Sequence, residues 1–276
     1  MFPQGTKMGP LCFLILINDA LSDTPHRWKY VDDCTVGVTV DNTSQDYSWL
    51  QGTLDRLQAW TKENKVTINH TKTVVMHFNT ATTPVQALAV TVGAHPFQLV
   101  QSAKLLGVTI DHKLDWKAHV NNTIKAALYR LYMLRRLGSL GAPTPELRTI
   151  YNAFILPKLT YATSAWSSSP NSTQQRQLEK VQKRACRIML GTDYSGYNNA
   201  LSTLEIPSLS DLHHQALARF GSGLLHHLRH RHLLPPAVLR SPRAVRHYNK
   251  IQPIRASTDK YKNSTIPSSV KIINNS

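Results

Sequence analysis

Cysteine is scarce: Cys12, Cys34 and Cys186 are the only three in 276 residues, scattered along the chain and odd in number. That excludes a disulfide framework and supplies no paired cysteines for a zinc module; it suits a reducing intracellular compartment. Acidic residues are also few, 16 Asp and Glu against 32 Lys and Arg, leaving a formal charge of +16. Neither a long apolar span nor a lipidation signal is present, so this charge does not flank a membrane anchor. The apolar run 11–17 after Lys7 imitates a signal peptide, but Asn18-Asp19 follows it and no small-residue cleavage site does. It reads instead as a buried helix. Internal repeats are absent. The Asn-x-Ser/Thr triplets at Asn42, Asn69, Asn121, Asn171, Asn263 and Asn274 carry no meaning without a secretory signal.

What is present is unevenly divided. Residues 1–110 hold eight Lys/Arg and eight Asp/Glu, whereas residues 111–276 hold 24 and eight. A basic lobe beside a neutral one is the electrostatic footprint of a chain that grips a phosphate backbone with one part and does chemistry with the other. With 41% hydrophobic residues the length allows about two domains, each with a core.

Tyr30-Val31-Asp32-Asp33 is the most informative stretch. Residues 27–31 before the carboxylate pair and 34–40 after it are rich in β-branched and aromatic residues and read as strands, with Asp-Asp as the tight turn between them. Two carboxylates at a hairpin tip can hold a divalent cation over a reacting phosphate, because hard cations take oxygen ligands. Ordinary turn chemistry is the competing reading of those four residues alone.

The surrounding order narrows the choice. Gln4-Gly5 opens a loop ahead of the helix; Asn69, Lys72 and Thr73 follow the hairpin; Leu106-Gly107-Val108 comes next. Further on stand Trp116 with His119, Leu128 with Tyr129 and Leu131, Tyr161 with Trp166, and the run 178–185 from Leu178 to Ala185. In this order the motifs resemble the second half of the palm, and the thumb after it, of a non-LTR (LINE-type) retrotransposon reverse transcriptase. The resemblance covers roughly residues 2–225.

That resemblance implies an α+β fold: a partial right-hand polymerase palm, an antiparallel sheet with helices, over 1–110, then an all-helical basic thumb over 111–234. A flexible basic tail is expected over 235–276 from its Pro, Ser, Lys and Arg content and its lack of periodicity. The implied activity is RNA-directed DNA polymerisation by two Mg²⁺ ions, with an RNA template, a DNA primer and deoxynucleoside triphosphates as partners. Asp32 would be the main metal ligand and Asp33 its assistant near the primer end. Tyr30 would sit beneath the incoming nucleotide or primer terminus, while Gln4 and Gly5 would contact nucleotide and template. Lys72 matches the lysine that protonates the departing pyrophosphate, a general-acid role; a solvated lysine beside an Asn turn is the plainer alternative. Leu106 and Gly107 correspond to the hairpin that steadies the primer.

The family carries one more metal-binding aspartate on an earlier strand. This chain starts three residues before Gln4, so the expectation is a fragment, inactive alone. A non-catalytic nucleic-acid-binding remnant is the rival. No membrane association is expected; the location would be intracellular, in cytoplasm and nucleus.

Periodicity predicts a helix at 8–21, the hairpin at 27–40, and a helix capped by Thr43 or Ser44 with Tyr47, Leu50, Leu54 and Leu57 on its apolar stripe. Short strands are expected at 65–69, 73–78, 88–92, 97–100 and 104–110, followed by helices at 114–137, around Pro143 and Pro157, at 172–190 and at 208–228. Within helix 172–190, Lys180, Lys183, Arg184 and Arg187 share an arc of about 100° opposite the apolar side, a candidate nucleic-acid-binding face. The histidines of 226–232 lack the spacing of a zinc module.

Overall fold

In the computed structural model, residues 8–41, 46–79, 90–236 and 251–275 are described. The chain divides into two units, Met1–Ala103 and Lys104–Ser276. Helices dominate, and the strands among the described residues form four two-stranded sheets. The coarse class, mixed helix and sheet, matches expectation.

The first unit begins with α1, Met8–Asp19, which admits Pro10 in its first turn where a missing N–H costs little. Its apolar run was expected to be buried. Only Gly9 of this helix is buried, and Met8, Leu11, Leu14 and Ile15 are exposed. The helix forms from local propensity, while among the described residues nothing covers that stripe. Strands β1 (Arg27–Tyr30) and β2 (Asp33–Val36) pair antiparallel in the order Arg27↔Val36 to Tyr30↔Asp33. Helix α2 spans Ser48–Glu63. The caps expected at Thr43 and Ser44 lie outside the described residues; the Asp46 carboxylate accepts from Ser48 N at 2.8 Å. Leu54, flanked by Tyr47 and Leu50, packs on Val90 and Val92, a small core of its own.

Beside it, the side-chain amide of Gln51 accepts from Thr91 N and donates to Thr91 O, both at 3.0 Å, acting as a strand partner. Strand β3 (Val74–Val75) pairs with Gln98–Leu99 in parallel, and Thr91–Val92 pairs with His95–Pro96 antiparallel. The strand expected at 65–69 does not form. Lys65 takes φ 54° and Val66 N bonds Thr61 O at 2.9 Å, closing α2 in a Schellman-type turn that diverts the chain.

A hairpin joins Ser102–Leu105 to Val108–Asp111, and the second unit begins within its first strand. Helix α3, Lys117–Ser139, starts later than expected because Leu114 and Trp116 adopt φ of 53° and 61°. One carboxylate organises that entry: Asp111 accepts from Lys113 N, Asp115 N and Trp116 N at 3.0–3.1 Å. Val120, Ala127, Leu131 and Leu134 of α3 face Leu178, Val181, Ala185 and Met189 of the helix Ser172–Leu190 around Tyr151, Ile155 and Trp166.

The helices expected around Pro143 and Pro157 form one run, Thr144–Ile150 and Leu156–Leu159 joined by a π-turn at Tyr151–Ile155. The wider π register accommodates Pro157, which has no N–H to give. Helix Ser172–Leu190 matches its expected span. It starts with a reciprocal capping box in which Asn171 and Gln174 exchange bonds at 2.7 and 2.9 Å.

The segment expected to be a flexible tail carries structure over 251–275. Helix Thr265–Asn275 places Ile266, Val270 and Ile273 against Phe220 and Leu224 of the helix Leu209–His226. Gly221 permits this approach, since a Cβ there would stand 3.1 Å from Ser269 Cβ. Three apolar residues at i, i+4 and i+7 inside a polar segment are a weak periodic signal, so composition alone misjudged it. Residues 237–250 of that segment lie outside the described ones. Among the described residues no helix is long and apolar enough to cross a membrane.

Candidate functional site

The pairing Tyr30↔Asp33 leaves Val31 and Asp32 as a two-residue loop. The turn therefore falls one residue earlier than expected, and Asp33 belongs to the strand. Being opposite Tyr30, Asp33 shares the outward face with it. Val31 takes φ 53°, a conformation a β-branched residue rarely adopts. Such strain persists only where surrounding structure imposes it, and it clusters at functional sites. Tyr30 is 63% exposed, and both Asp32 and Asp33 are exposed. Two carboxylates and an aromatic ring thus stand together at an open tip.

Lys29 holds the hairpin in place. Its Nζ donates to the carbonyl oxygens of Ile17, Asn18 and Ala20 at 3.0, 2.7 and 2.9 Å, capping the C-terminal end of α1 with a cation. Desolvation, and then the charge of Arg27, push this lysine's pKa below its ordinary value. Arg27 in turn donates to Thr24 O, and Gly37 N bonds His26 O at 2.9 Å. Cys34 pairs with Lys29 across the strands, and desolvation raises its thiol pKa. Sequence reading missed Lys29, because a lysine inside a strand gives no sign of capping a helix ten residues upstream.

Lys72 leaves a compact turn built by Asn69. The Asn69 side-chain oxygen accepts from Thr71 N, Thr71 Oγ1 and Lys72 N, and Asn69 O accepts from Thr73 N and Thr73 Oγ1. This anchors the backbone and leaves the Lys72 side chain exposed. Among the described residues no ion pair joins it to Asp32 or Asp33. Gln4 and Gly5 lie outside the described residues. No group of three His, Cys, Asp or Glu able to hold a metal ion occurs among the described residues. Oxygen donors of the right kind are present at the tip, and among the described residues a full set for two cations is not.

In the second unit, Leu106 and Gly107 form the tip of their hairpin with φ of 46° and 85°. Positive φ at both central residues is the type I′ arrangement that matches strand twist. Tyr161 fastens this tip: its hydroxyl donates to Leu106 O at 2.7 Å, and a Cβ on Gly107 would come 3.1 Å from Tyr161 Cε1. The aromatic motifs further along are structural. The rings of Trp116, His119, Trp166 and His213 meet edge to face in succession at 6.3, 4.9 and 5.5 Å. Trp166 Nε1 donates to Tyr161 O at 2.9 Å, and His119 Nδ1 accepts from Thr109 N at 3.2 Å.

The four cations of helix Ser172–Leu190 split into two pairs. Lys183 lies 4.8 Å above the Tyr197 ring and Arg187 lies 5.2 Å from that of Tyr194. Lys180 and Arg184 are exposed and line a groove against α3. Gln182, wholly buried on the same helix, donates to Pro207 O at 2.9 Å and accepts from Leu209 N and Tyr197 OH at 2.7 and 2.8 Å. Its position beside the basic residues hid that structural role from the sequence.

Residues 1–110 match the family model of the reverse transcriptase (RNA-dependent DNA polymerase). Three Drosophila melanogaster proteins are similar over most of the chain. The RNA-directed DNA polymerase from mobile element jockey is 25% identical over 226 residues, 76% of this chain and 24% of that protein. The probable RNA-directed DNA polymerases from transposon BS and from transposon X-element are each 25% identical, over 86% and 91% of this chain. The chain spans about a quarter of the length of these curated relatives. No solved structure matches it.

Proposed function

From the premise that residues 1–110 are a reverse transcriptase segment of the LINE type, we propose that this chain is the part of an RNA-directed DNA polymerase that presents the metal-binding hairpin. On this reading residues 1–110 are partial palm and 111–234 the thumb. The observation that carries the proposal is the hairpin tip, where Asp32 in the strained two-residue loop and Asp33 at the start of the next strand are both exposed and Lys29 ties the hairpin to α1. The pair would hold divalent metal, Mg²⁺ by its oxygen chemistry, and the metal would stabilise charge on the attacking and leaving oxygens of an in-line displacement. Tyr30 would support the nucleotide or primer terminus. Gln4 and Gly5 would approach template and nucleotide, and Lys72 would deliver a proton to the departing pyrophosphate. The tip at Leu106 and Gly107 would steady the primer. RNA template, DNA primer and deoxynucleoside triphosphates would be the partners, in cytoplasm and nucleus. The exposed stripe of α1 and the two-stranded sheets, marginal on their own, fit a palm that other parts of such a polymerase complete.

One observation favours a second reading for this chain taken alone. With no third ligand near Asp32 and Asp33 among the described residues, it would bind nucleic acid without turnover.

Two measurements test these readings. Titration with Mn²⁺ should broaden the amide resonances of residues 31–34 at millimolar concentrations, and the double variant Asp32→Asn/Asp33→Asn should abolish the effect. Broadening that persists in the variant would refute metal binding at the tip. Primer extension on an RNA template should show no incorporation by this chain with Mg²⁺ or Mn²⁺. Incorporation that disappears in Asp32→Asn would show that another acid completes the site.

A further inference from the structure

Two histidines that the hairpin at Asp32 and Asp33 does not use meet elsewhere in the first unit. His70 follows Asn69 in the turn that leads to β3, and His95 pairs with Val92 across the Gly93–Ala94 turn. Their ring centroids lie 4.2 Å apart, with the planes inclined at 33°. Both residues are exposed. Among the described residues no hydrogen bond or ion pair engages either imidazole.

The backbone on each side is fixed by bonds that do not involve the rings. Next to His70, Asn69 holds Thr71, Lys72 and Thr73 through its side-chain and carbonyl oxygens. Next to His95, the chain turns at Gly93 with φ 60°, where a Cβ would collide with the Gln58 side chain. Gln51 clamps Thr91 through two bonds, and Phe97 N bonds Val90 O at 3.0 Å. Two imidazoles distant in sequence are thereby brought to one spot before any ligand arrives, which lowers the ordering cost of binding.

Imidazole nitrogen suits divalent transition metals, whereas Mg²⁺ and Ca²⁺ take oxygen. Distance selects among the transition metals. With a metal–nitrogen bond of about 2.0–2.1 Å, two imidazoles at a right angle on one ion have centroids about 4.6 Å apart, and at the tetrahedral angle about 5.2 Å. From 4.2 Å, the exposed rings must open by about 0.4 Å for a square or octahedral ion and by about 1 Å for a tetrahedral one. No third His, Cys, Asp or Glu joins them among the described residues, so water is left to fill the other positions.

We propose that His70 and His95 form a two-histidine site for a divalent transition metal that accepts ligands at right angles, as Ni²⁺ and Cu²⁺ do. The bound ion ties the Asn69 turn to the hairpin of Thr91–Val92 and His95–Pro96. The site is independent of the polymerase reading and of the oxygen donors at Asp32 and Asp33.

Titration of the full chain with NiCl₂, followed at the amide resonances of residues 69–73 and 91–97, tests this. The background is His227→Gln/His230→Gln, which removes the other stacked pair of histidine rings. Ni²⁺ should perturb both stretches together. His70→Gln and His95→Gln should each weaken that binding by about ten-fold or more, because the second ring binds with the benefit of the first. The double variant should be little weaker than either single one. Zn²⁺ should bind less tightly than Ni²⁺, and Mg²⁺ should not compete. Asp32→Asn/Asp33→Asn should leave Ni²⁺ binding intact, so failure of the polymerase reading would not affect this site. Circular dichroism verifies the fold of each variant. Ni²⁺ binding unchanged in either single variant, losses that simply add as for two separate rings, or tighter binding of Zn²⁺ than of Ni²⁺ would overturn the proposal.

Discussion

Replacing Gly107 by alanine probes the hairpin tip of the second unit through two separable effects. At φ 85° an L-residue meets its own backbone, which costs about 1–2 kcal/mol for one residue. The new methyl would also stand 3.1 Å from Tyr161 Cε1 and 3.3 Å from its hydroxyl oxygen, so the ring must shift by a few tenths of an ångström. Moving the ring weakens the 2.7 Å bond from the Tyr161 hydroxyl to Leu106 O, and a bond of this type contributes about 1 kcal/mol. Gly107→Ala should therefore destabilise the second unit by about 2–3 kcal/mol. Tyr161→Ala removes both the clash and the bond, so in that background the glycine replacement should cost only its backbone part, about 1–2 kcal/mol. The coupling energy of the double-mutant cycle is then about 1 kcal/mol. Urea unfolding followed by the fluorescence of Trp116 and Trp166, both buried in this unit, measures all four proteins. A Gly107→Ala cost that is the same with and without Tyr161 would refute the contact between turn and ring and leave only backbone strain.

Two further outcomes follow from groups whose surroundings shift their protonation. Burial holds His119 and His213 below their ordinary value of 6.5. Above that pH both folded and unfolded chains are neutral there. As pH falls below it the unfolded chain takes up protons first, so the urea midpoint of the second unit should decline between pH 7 and 5. His119→Gln should lessen the decline, and a flat midpoint in the parent would contradict the assignment. Lys29→Met should loosen the hairpin of β1 and β2 by removing three bonds to the end of α1. Because that lysine is only partly buried, the expected loss is about 1–2 kcal/mol, read as faster amide exchange at Cys34 and Gly37; unchanged exchange would mean that the strands hold themselves.

Legibility from sequence tracked the reach of the physical signal. Helix Ser172–Leu190 was readable over its span because Leu178, Val181, Ala185, Ile188 and Met189 recur at helical spacing. The hairpin at Asp32 and Asp33 was readable as an element, yet its register was not. Alternation fits two turns offset by one residue, and only the pairing of Tyr30 with Asp33 decides between them. The end of α2 was misread as a strand because Val66 and Ile68 have β propensity, and a left-handed Lys65 has no side-chain signature. Contacts between distant segments were invisible in principle. Nothing local in Tyr161 announces Leu106 O, and nothing local in Gln182 announces Pro207 and Leu209.

The four cations of that helix show how an arc read from periodicity differs from a surface. Their spacing was correct, but two of them turn toward tyrosines that follow in the chain, where a cation above a ring contributes about 0.5–1 kcal/mol at an exposed site. Lys183 and Arg187 therefore spend part of their charge within the fold. Of the four, Lys180 and Arg184 line the groove, whose other wall is Asn121, Ile124 and Leu128 of α3. The tyrosines at 129 and 132 were within view as sequence, at helical spacing between Lys125 and Arg136. Their meaning required knowing which side of α3 the core takes. Once Val120, Ala127, Leu131 and Leu134 occupy that side, helical geometry turns Tyr129 and Tyr132 outward, and both stand exposed.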